Sequence, residues 1–317
     1  MNYRSDKQFD IVLKKEKEEL VKLKEGSYKD NNNKDLNYSY DNLSNVDDES
    51  EDMQNESEPQ WDWASTIAEG NPPSARGGHT ATLIGKSIVI FGGHYYKNKV
   101  EGFKYLNDTN FLDIEQSKWL KPTIDGKIPS PRYGHSAVYS GGIIIIFGGK
   151  GPKDIVYNDL YTFDPKNNNW LLANETGESP SPRYNHTANI WNMKMYVFGG
   201  WNGKEFFNDT IVYDLEKMVW NKLETQETPC PRMGHASCIV SNNLIIQGGF
   251  YFNNDEYKKN YNNYGTFLKN CYFNDLKVLD LNKNIWTQLK ILGQPPQPRF
   301  GHTISFISKI ININFTY

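Results

Sequence analysis

Cysteine is scarce: Cys230, Cys238 and Cys271 are the only three in 317 residues. They form neither a close metal-binding cluster nor a fully paired disulfide set, which points to a reducing compartment, cytoplasm or nucleus. Long apolar runs are missing as well. The most extended, Ile143 to Phe147, falls far short of the about 18 residues that cross a bilayer, so no membrane insertion is expected. Nor is there a surplus of one charge, since 35 Lys plus Arg stand against 38 Asp plus Glu. Without a concentrated basic face the chain does not read as a nucleic-acid binder. The opening stretch MNYRSDKQFDIVLKKEKEEL lacks the apolar centre and small-residue cleavage site of a secretory signal. Walker-type GxxxxGK[ST], HExxH, GxSxG and CxxC elements are absent too, which removes the commonest sequence marks of nucleotide, zinc-protease, hydrolase and thiol-redox chemistry.

Two compositional zones are present. Residues 1–60 form a polar, charged arm in which Gln8 to Glu25 has helical patterning, with Phe9, Val12, Leu20 and Leu23 roughly on one side. That stretch is dominated by Lys and Glu and is marginal as an isolated helix. Between Asp41 and Glu58 there are eight acidic residues and no Lys or Arg. A segment with so little apolar surface cannot offset its ordering entropy and is expected to be disordered. It serves as a solvated linker, or as a docking tail for a basic partner.

From Trp61 onward the sequence repeats. An Arg-x-x-His element recurs at Arg76/His79, Arg132/His135, Arg183/His186, Arg232/His235 and Arg299/His302. After each of the first four comes an apolar run closed by two glycines: Gly92 and Gly93, Gly148 and Gly149, Gly199 and Gly200, Gly248 and Gly249. An Asn-Asp pair then begins at Asn107, Asn158, Asn208 or Asn274, and a further Asp follows at Asp113, Asp164, Asp214 or Asp280. Each unit finishes on Trp119, Trp170, Trp220 or Trp286, and Trp63 holds the same place ahead of Arg76. The first unit contains four strand-sized pieces, HTATLIG, SIVIF, TNFLD and SKWLK, separated by turn residues. Four short antiparallel strands per unit of about 50 residues describe a propeller blade. The second strands are apolar at consecutive positions, so both of their faces must be covered.

These motifs, in register over about residues 61–311, resemble kelch-repeat β-propellers of the type that opens each repeat with PxPRxxH and carries a glycine pair and a late Trp. The resemblance implies an all-β fold of four-stranded blades, with the Arg-x-x-His strand innermost and the Trp strand outermost. Four repeats are complete, and a partial fifth, RFGHTISFISKIININFTY, has no glycine pair, Asn-Asp or Trp after it. Closure by an N-terminal strand around Trp63 is expected, giving a five-bladed ring with a defective last blade or part of a larger ring. An unclosed array would leave apolar faces bare and favour self-association. Within the blades the glycines suit a tight bend, the late Asp holds the following turn, and Trp fills the wide outer gap.

Function is expected from what the scaffold leaves free. Five of the six histidines belong to the repeat and read as packing residues; His94 alone stands outside it. Two readings follow. The favoured one is a non-catalytic adaptor or scaffold that binds a protein or peptide through blade-end loops, with no cofactor and no metal. The rival is a metal-dependent oxidoreductase-like propeller with a central-channel site near His94; the spare Cys, Tyr and His set of such an oxidase is absent. Loops after the glycine pairs gather at one end and carry Tyr95, Tyr96, Lys97, Lys99, Lys153, Trp201, Lys204, Phe250, Tyr251 and Phe252. Aromatic anchors with scattered cations are the usual material of interface hot spots. The Asn/Tyr-rich insertion at 250–271 adds to the same end.

Overall fold

A computed structural model describes residues 67–252, 271–289, 294–307 and 310–314. The arm at 1–60, its helical stretch, Trp63 and most of the 250–271 insertion lie outside the described residues. Nearly all regular structure in the compact unit Ala68–Tyr317 is strand. Apolar, β-branched runs dictate this: SIVIF, IIIIF and KMYVF each lie in a second strand, and the last three residues of each run are buried.

The first blade comprises β1 (Thr80–Ile84) and β2 (Ser87–Phe91), an inserted hairpin of β3 (His94–Asn98) and β4 (Gly102–Tyr105), then β5 (Thr109–Asp113) and β6 (Lys118–Leu120). The second contains β7 (Asp125–Gly126), β8 (Ser136–Ser140), β9 (Ile143–Lys150), β10 (Val156–Asp164) and β11 (Asn169–Leu172). In the third are β12 (Thr176–Gly177), β13 (Thr187–Trp191), β14 (Lys194–Phe198), β15 (Thr210–Asp214) and β16 (Val219–Leu223). The fourth has β17 (Ala236–Val240), β18 (Asn243–Phe250), β19 (Tyr272–Asp280) and β20 (Ile285–Gln288), and β21 (Thr303–Ile307) with β22 (Ile310–Asn314) makes a two-stranded fifth sheet. Each full blade is an antiparallel meander, as in β17-β18-β19-β20. The inner strands β1, β8, β13, β17 and β21 pack one on the next in that order, so the repeat generates a propeller of four complete blades.

Blades have more strands than the sequence indicated. The connection leaving each Trp strand pairs in parallel with the outer strand of the following blade, Asp125 with Asn169 and Thr176 with Val219. Single bridges at Glu69–Lys118 and Gln226–Ile285 continue the pattern. These crossings stitch neighbours together at their outer edge.

Between blades the repeat residues act in concert. Trp170, Trp220 and Trp286 are almost wholly buried, and each rests on a phenylalanine of the preceding blade, Phe91, Phe147 or Phe198, with ring centroids 4.7–5.0 Å apart. Trp119 is only half-buried, because among the described residues no blade precedes the first. Three of the repeat histidines bond backwards across the interface to the preceding blade. His135 Nε2 meets Thr80 Oγ1 at 2.9 Å, His186 meets Ser136 Oγ at 2.8 Å, and His235 meets Thr187 Oγ1 at 2.9 Å. Burial first, then the neighbouring arginine, holds all three imidazoles well below their ordinary pKa, so they are neutral packing groups.

The Asn-Asp pair has a role the sequence did not reveal. Arg183 is fully buried; its Nη1 donates to Asp209 Oδ1 at 2.7 Å and to the Gly199 carbonyl at 3.1 Å, and Nη2 donates to Asp209 Oδ2 at 2.9 Å. Its guanidinium also covers the Phe207 ring at 4.2 Å. Arg76 with Asp108, Arg132 with Asp159 and Arg232 with Asp275 repeat the clamp. The adjacent asparagine reaches the next connection, as when Asn208 Nδ2 donates to the Pro229 carbonyl at 3.1 Å. One glycine shows why the pair must be bare. Gly149 lies at φ 101° and donates to the Arg183 carbonyl of the next blade at 2.9 Å, while an added Cβ would stand 2.9 Å from His135 Cβ and 3.0 Å from the Tyr133 carbonyl oxygen. Near the axis a chain of backbone bonds joins Gly78, Gly134, Asn185, Gly234 and Gly301 at 2.7–2.8 Å.

Candidate interaction surface at the glycine-pair end

Strand direction decides which residues share this end. The first x of Arg-x-x-His pairs with the residue directly after the glycine pair: Gly77 with His94, Tyr133 with Lys150, Tyr184 with Trp201, Met233 with Phe250. Two rows of variable side chains therefore meet at the inner rim of the blades. Only the second row was picked out from sequence. Tyr133, Tyr184 and Phe300 sit inside an element that otherwise reads as pure scaffold; the visible signal is that this x varies along the repeats, as Gly, Tyr, Tyr, Met and Phe.

The rings of the two rows form a continuous run, in which Tyr184 is buried and His94, Tyr133, Trp201 and Phe206 are partly exposed. Ring centroids run from His94 to Tyr133 at 4.2 Å, to Tyr184 at 5.7 Å, to Trp201 at 5.7 Å and to Phe206 at 5.4 Å, the last pair stacked within 11°. Phe206 continues to Tyr251 and Phe252 at 5.3 and 5.1 Å, and Phe250 reaches Phe300 at 6.1 Å. Trp201 Nε1 and His94 Nδ1 are buried and have no hydrogen-bond partner. Lys150 is the cation nearest the rings, its ammonium 5.5 Å from the Tyr184 centroid and 2.8 Å from Asp154. Burial lowers the pKa of that amine, but the Asp154 hydrogen bond and the charges of Tyr133, Asp154 and Tyr105 together outweigh it and leave a net rise, and burial together with Tyr133 pushes the Tyr184 phenol upward.

The residues singled out from sequence occupy several environments. Tyr96 is 55% exposed, on β3 opposite Phe103 of β4, and Lys97 is exposed in an ion pair with Glu101 at 2.6 Å. Lys153 is exposed in a short 3-10 turn, Pro152–Asp154, and Lys204 is exposed near Trp201 in the chain. Tyr95, Trp201, Tyr251 and Phe252 are partly exposed, whereas Phe250 is buried and supports the surface from beneath. His94 was expected in an open loop. It instead starts β3 and is half-buried against Tyr133, with its pKa lowered by burial against a raising bond to Gly77. Among the described residues no three His, Cys, Asp or Glu side chains are grouped to hold a metal ion.

Comparison with known proteins agrees with this architecture. Residues 97–314 match the family model described as the KLHDC2/KLHL20/DRC7 Kelch-repeats domain. Kelch domain-containing protein 3 of Bos taurus is 30% identical over 240 residues, covering 72% of this chain and 60% of the relative. Tip elongation aberrant protein 1 of Schizosaccharomyces pombe is 34% identical over 244 residues, 74% of this chain and 19% of that protein. Rho GTPase-activating protein gacHH of Dictyostelium discoideum is 38% identical over 150 residues, 46% of this chain and 10% of its own length. The chain thus spans at most about three fifths of the length of these relatives. With the described repeat residues placed in their blades and the family model covering well over half of the sequence, the chain belongs to the kelch-repeat β-propeller family.

Proposed function

We propose that this chain is a non-catalytic adaptor or scaffold that holds a protein or peptide on the glycine-pair end of its propeller. Kelch-repeat domains are generally protein-interaction modules, and the observation that carries the reading here is the unbroken run of rings from His94 to Phe252. Large rigid rings contribute contact area at little entropic cost, and hot spots are enriched in Trp and Tyr. The cations beside them, Lys97 and Lys150, are already matched by Glu101 and Asp154, so the rings supply affinity and the charges orient the partner. His135, His186 and His235 bond to hydroxyls, and His94 packs on a ring. The test is an affinity pulldown with Tyr96→Ala, Tyr133→Ala and Trp201→Ala, each checked for unchanged folding. Loss of a hot-spot ring is expected to weaken the principal partner by ~30-fold or more; an unchanged set of partners for all three would reject the site.

A further inference from the structure

Ser-Pro and Thr-Pro dipeptides occur four times in the sequence, at Ser130-Pro131, Ser179-Pro180, Ser181-Pro182 and Thr228-Pro229, each in a connection that enters an inner strand. A kinase that reads a proline after the acceptor hydroxyl takes its substrate as an extended segment and seats that proline in its own pocket. Both residues must therefore be offered to solvent. The fold separates the four on this ground. Pro180 and Pro229 are buried, and their carbonyls accept Asn158 Nδ2 and Asn208 Nδ2 at 3.2 and 3.1 Å, so Ser179-Pro180 and Thr228-Pro229 are pinned against the blade. Ser181 and Pro182 are both exposed, and Ser130 is exposed ahead of a partly buried Pro131. These residues lie outside the strands, where each proline keeps the serine before it extended.

We propose that Ser181 and Ser130 are phosphorylation sites for a proline-directed serine/threonine kinase. Transfer from ATP forms a bond between the serine Oγ and the γ-phosphorus, breaks the bond from that phosphorus to ADP, and passes the hydroxyl proton to the base of the kinase. The arginine clamp is placed to receive the product. Each serine stands two residues before its arginine, whose Nε donates to the serine carbonyl at 3.0 Å. A guanidinium has five N–H groups, and in Arg183 four go to the carbonyls of Ser181 and Gly199 and to the two Asp209 oxygens. In the first blade Nη2 of Arg76 also donates to the hydroxyl of Ser74, at the equivalent position, at 3.1 Å. An oxygen on this side chain thus comes within reach of the remaining N–H. A phosphate there carries a charge of about −1.5 to −2 and shares the guanidinium with Asp159 or Asp209 through a charge-assisted bond. That charge lies three residues before Tyr133 or Tyr184 in the chain, at the rim of the ring run. Control of a partner by it rests on the interaction reading above, whereas the modification itself does not.

The assignment is tested by incubating the folded full chain with ATP and a purified proline-directed kinase of the mitogen-activated class, with sites and rates read by mass spectrometry. Phosphate is expected on Ser181 and Ser130 about ten-fold faster than on Ser179 and Thr228, because a pinned dipeptide must first open locally. Ser74 shares the position but precedes Ala75, and should stay unmodified. Synthetic peptides spanning 174–188 and 223–237, free of the fold, should lose the preference and accept phosphate at each of their Ser-Pro and Thr-Pro sites. In the folded chain Ser130→Ala with Ser181→Ala should remove most of the label, while Ser179→Ala with Thr228→Ala leaves it nearly intact. Equal or faster labelling of Ser179 or Thr228, labelling of Ser74, or a folded chain that stays unlabelled while its peptides react would overturn the proposal. None of these readouts involves an interaction partner, so they stand or fall apart from the pulldown.

Discussion

Replacing Asp209 with Ala isolates the repeated arginine clamp. In the folded chain Arg183 is fully buried, and two of its donors end on the Asp209 carboxylate at 2.7 and 2.9 Å. Truncating the acid leaves a guanidinium that retains the carbonyls of Gly199 and Ser181 but has lost its counter-charge. Removing one member of a buried pair costs about 3–5 kcal/mol, a large share of a typical ~5–15 kcal/mol domain stability. With a urea m-value of about 2–3 kcal/mol/M, the midpoint should fall by about 1–2 M. Tryptophan fluorescence and far-ultraviolet circular dichroism should report the same midpoint. The double variant Arg183→Met, Asp209→Leu should recover much of the loss, because an apolar pair of similar volume removes both charges together. A loss under about 1 kcal/mol, the level of an exposed pair such as Lys222–Glu224, would refute the reasoning, as would a double variant no better than the single.

Three further outcomes follow from the blade interfaces. Ala236 stands where other blades present Thr or Ser to the next histidine, and His302 Nε2 has no hydrogen-bond partner; Ala236→Ser should raise stability by about 1 kcal/mol, read as a higher melting temperature. Burial, then Arg299, lowers the His302 pKa from 6.5 to about 4, and His135, His186 and His235 are held lower than their ordinary value as well. A histidine with a depressed folded pKa contributes fully above its unfolded pKa, so urea midpoints should decline as pH drops below about 6.5 towards about 4; a flat profile would contradict this, and His302→Phe should shallow the slope. At the outer stitch, a Cβ on Gly126 would meet the Trp170 carbonyl oxygen at 2.2 Å, so Gly126→Ala should destabilise by more than about 2 kcal/mol. Glu227 holds the same place at φ 55°, and Glu227→Gly should gain about 0.5–1 kcal/mol, measurable by denaturant titration.

The blade plan was legible because Arg, His, Gly, Asp and Trp return in a fixed order, and their repetition marks them as packing residues. Asp164, Asp214 and Asp280 do accept backbone N–H bonds from the turns they precede, as turn chemistry predicted. The clamp was not legible. Arg and its Asp partner lie 32, 27, 26 and 43 residues apart in the four blades, since the loops after the glycine pairs differ in length, so no constant interval exposes the pairing. The parallel stitch was hidden for another reason: pairs such as Asp125–Gly126 have no hydrophobic alternation and read as turn. Tyr133 and Tyr184 escaped notice because a residue flanked by repeat positions appears committed to the scaffold, although strand geometry turns it towards the variable end.

Every interface described has a front and a back. At the three junctions between complete blades the indole of one unit seats on the phenylalanine before it, and the imidazole reaches to the hydroxyl before it. Stacking is consequently polar, like links that engage in only one orientation. Excision or tandem duplication of one whole period, for instance from Lys127 to Gly177, rejoins matching surfaces, whereas reversing the order of unlike halves would set indole against indole. A protein made of such units can change its length by entire periods while each junction keeps the same chemistry, which leaves the rim residues free to diversify.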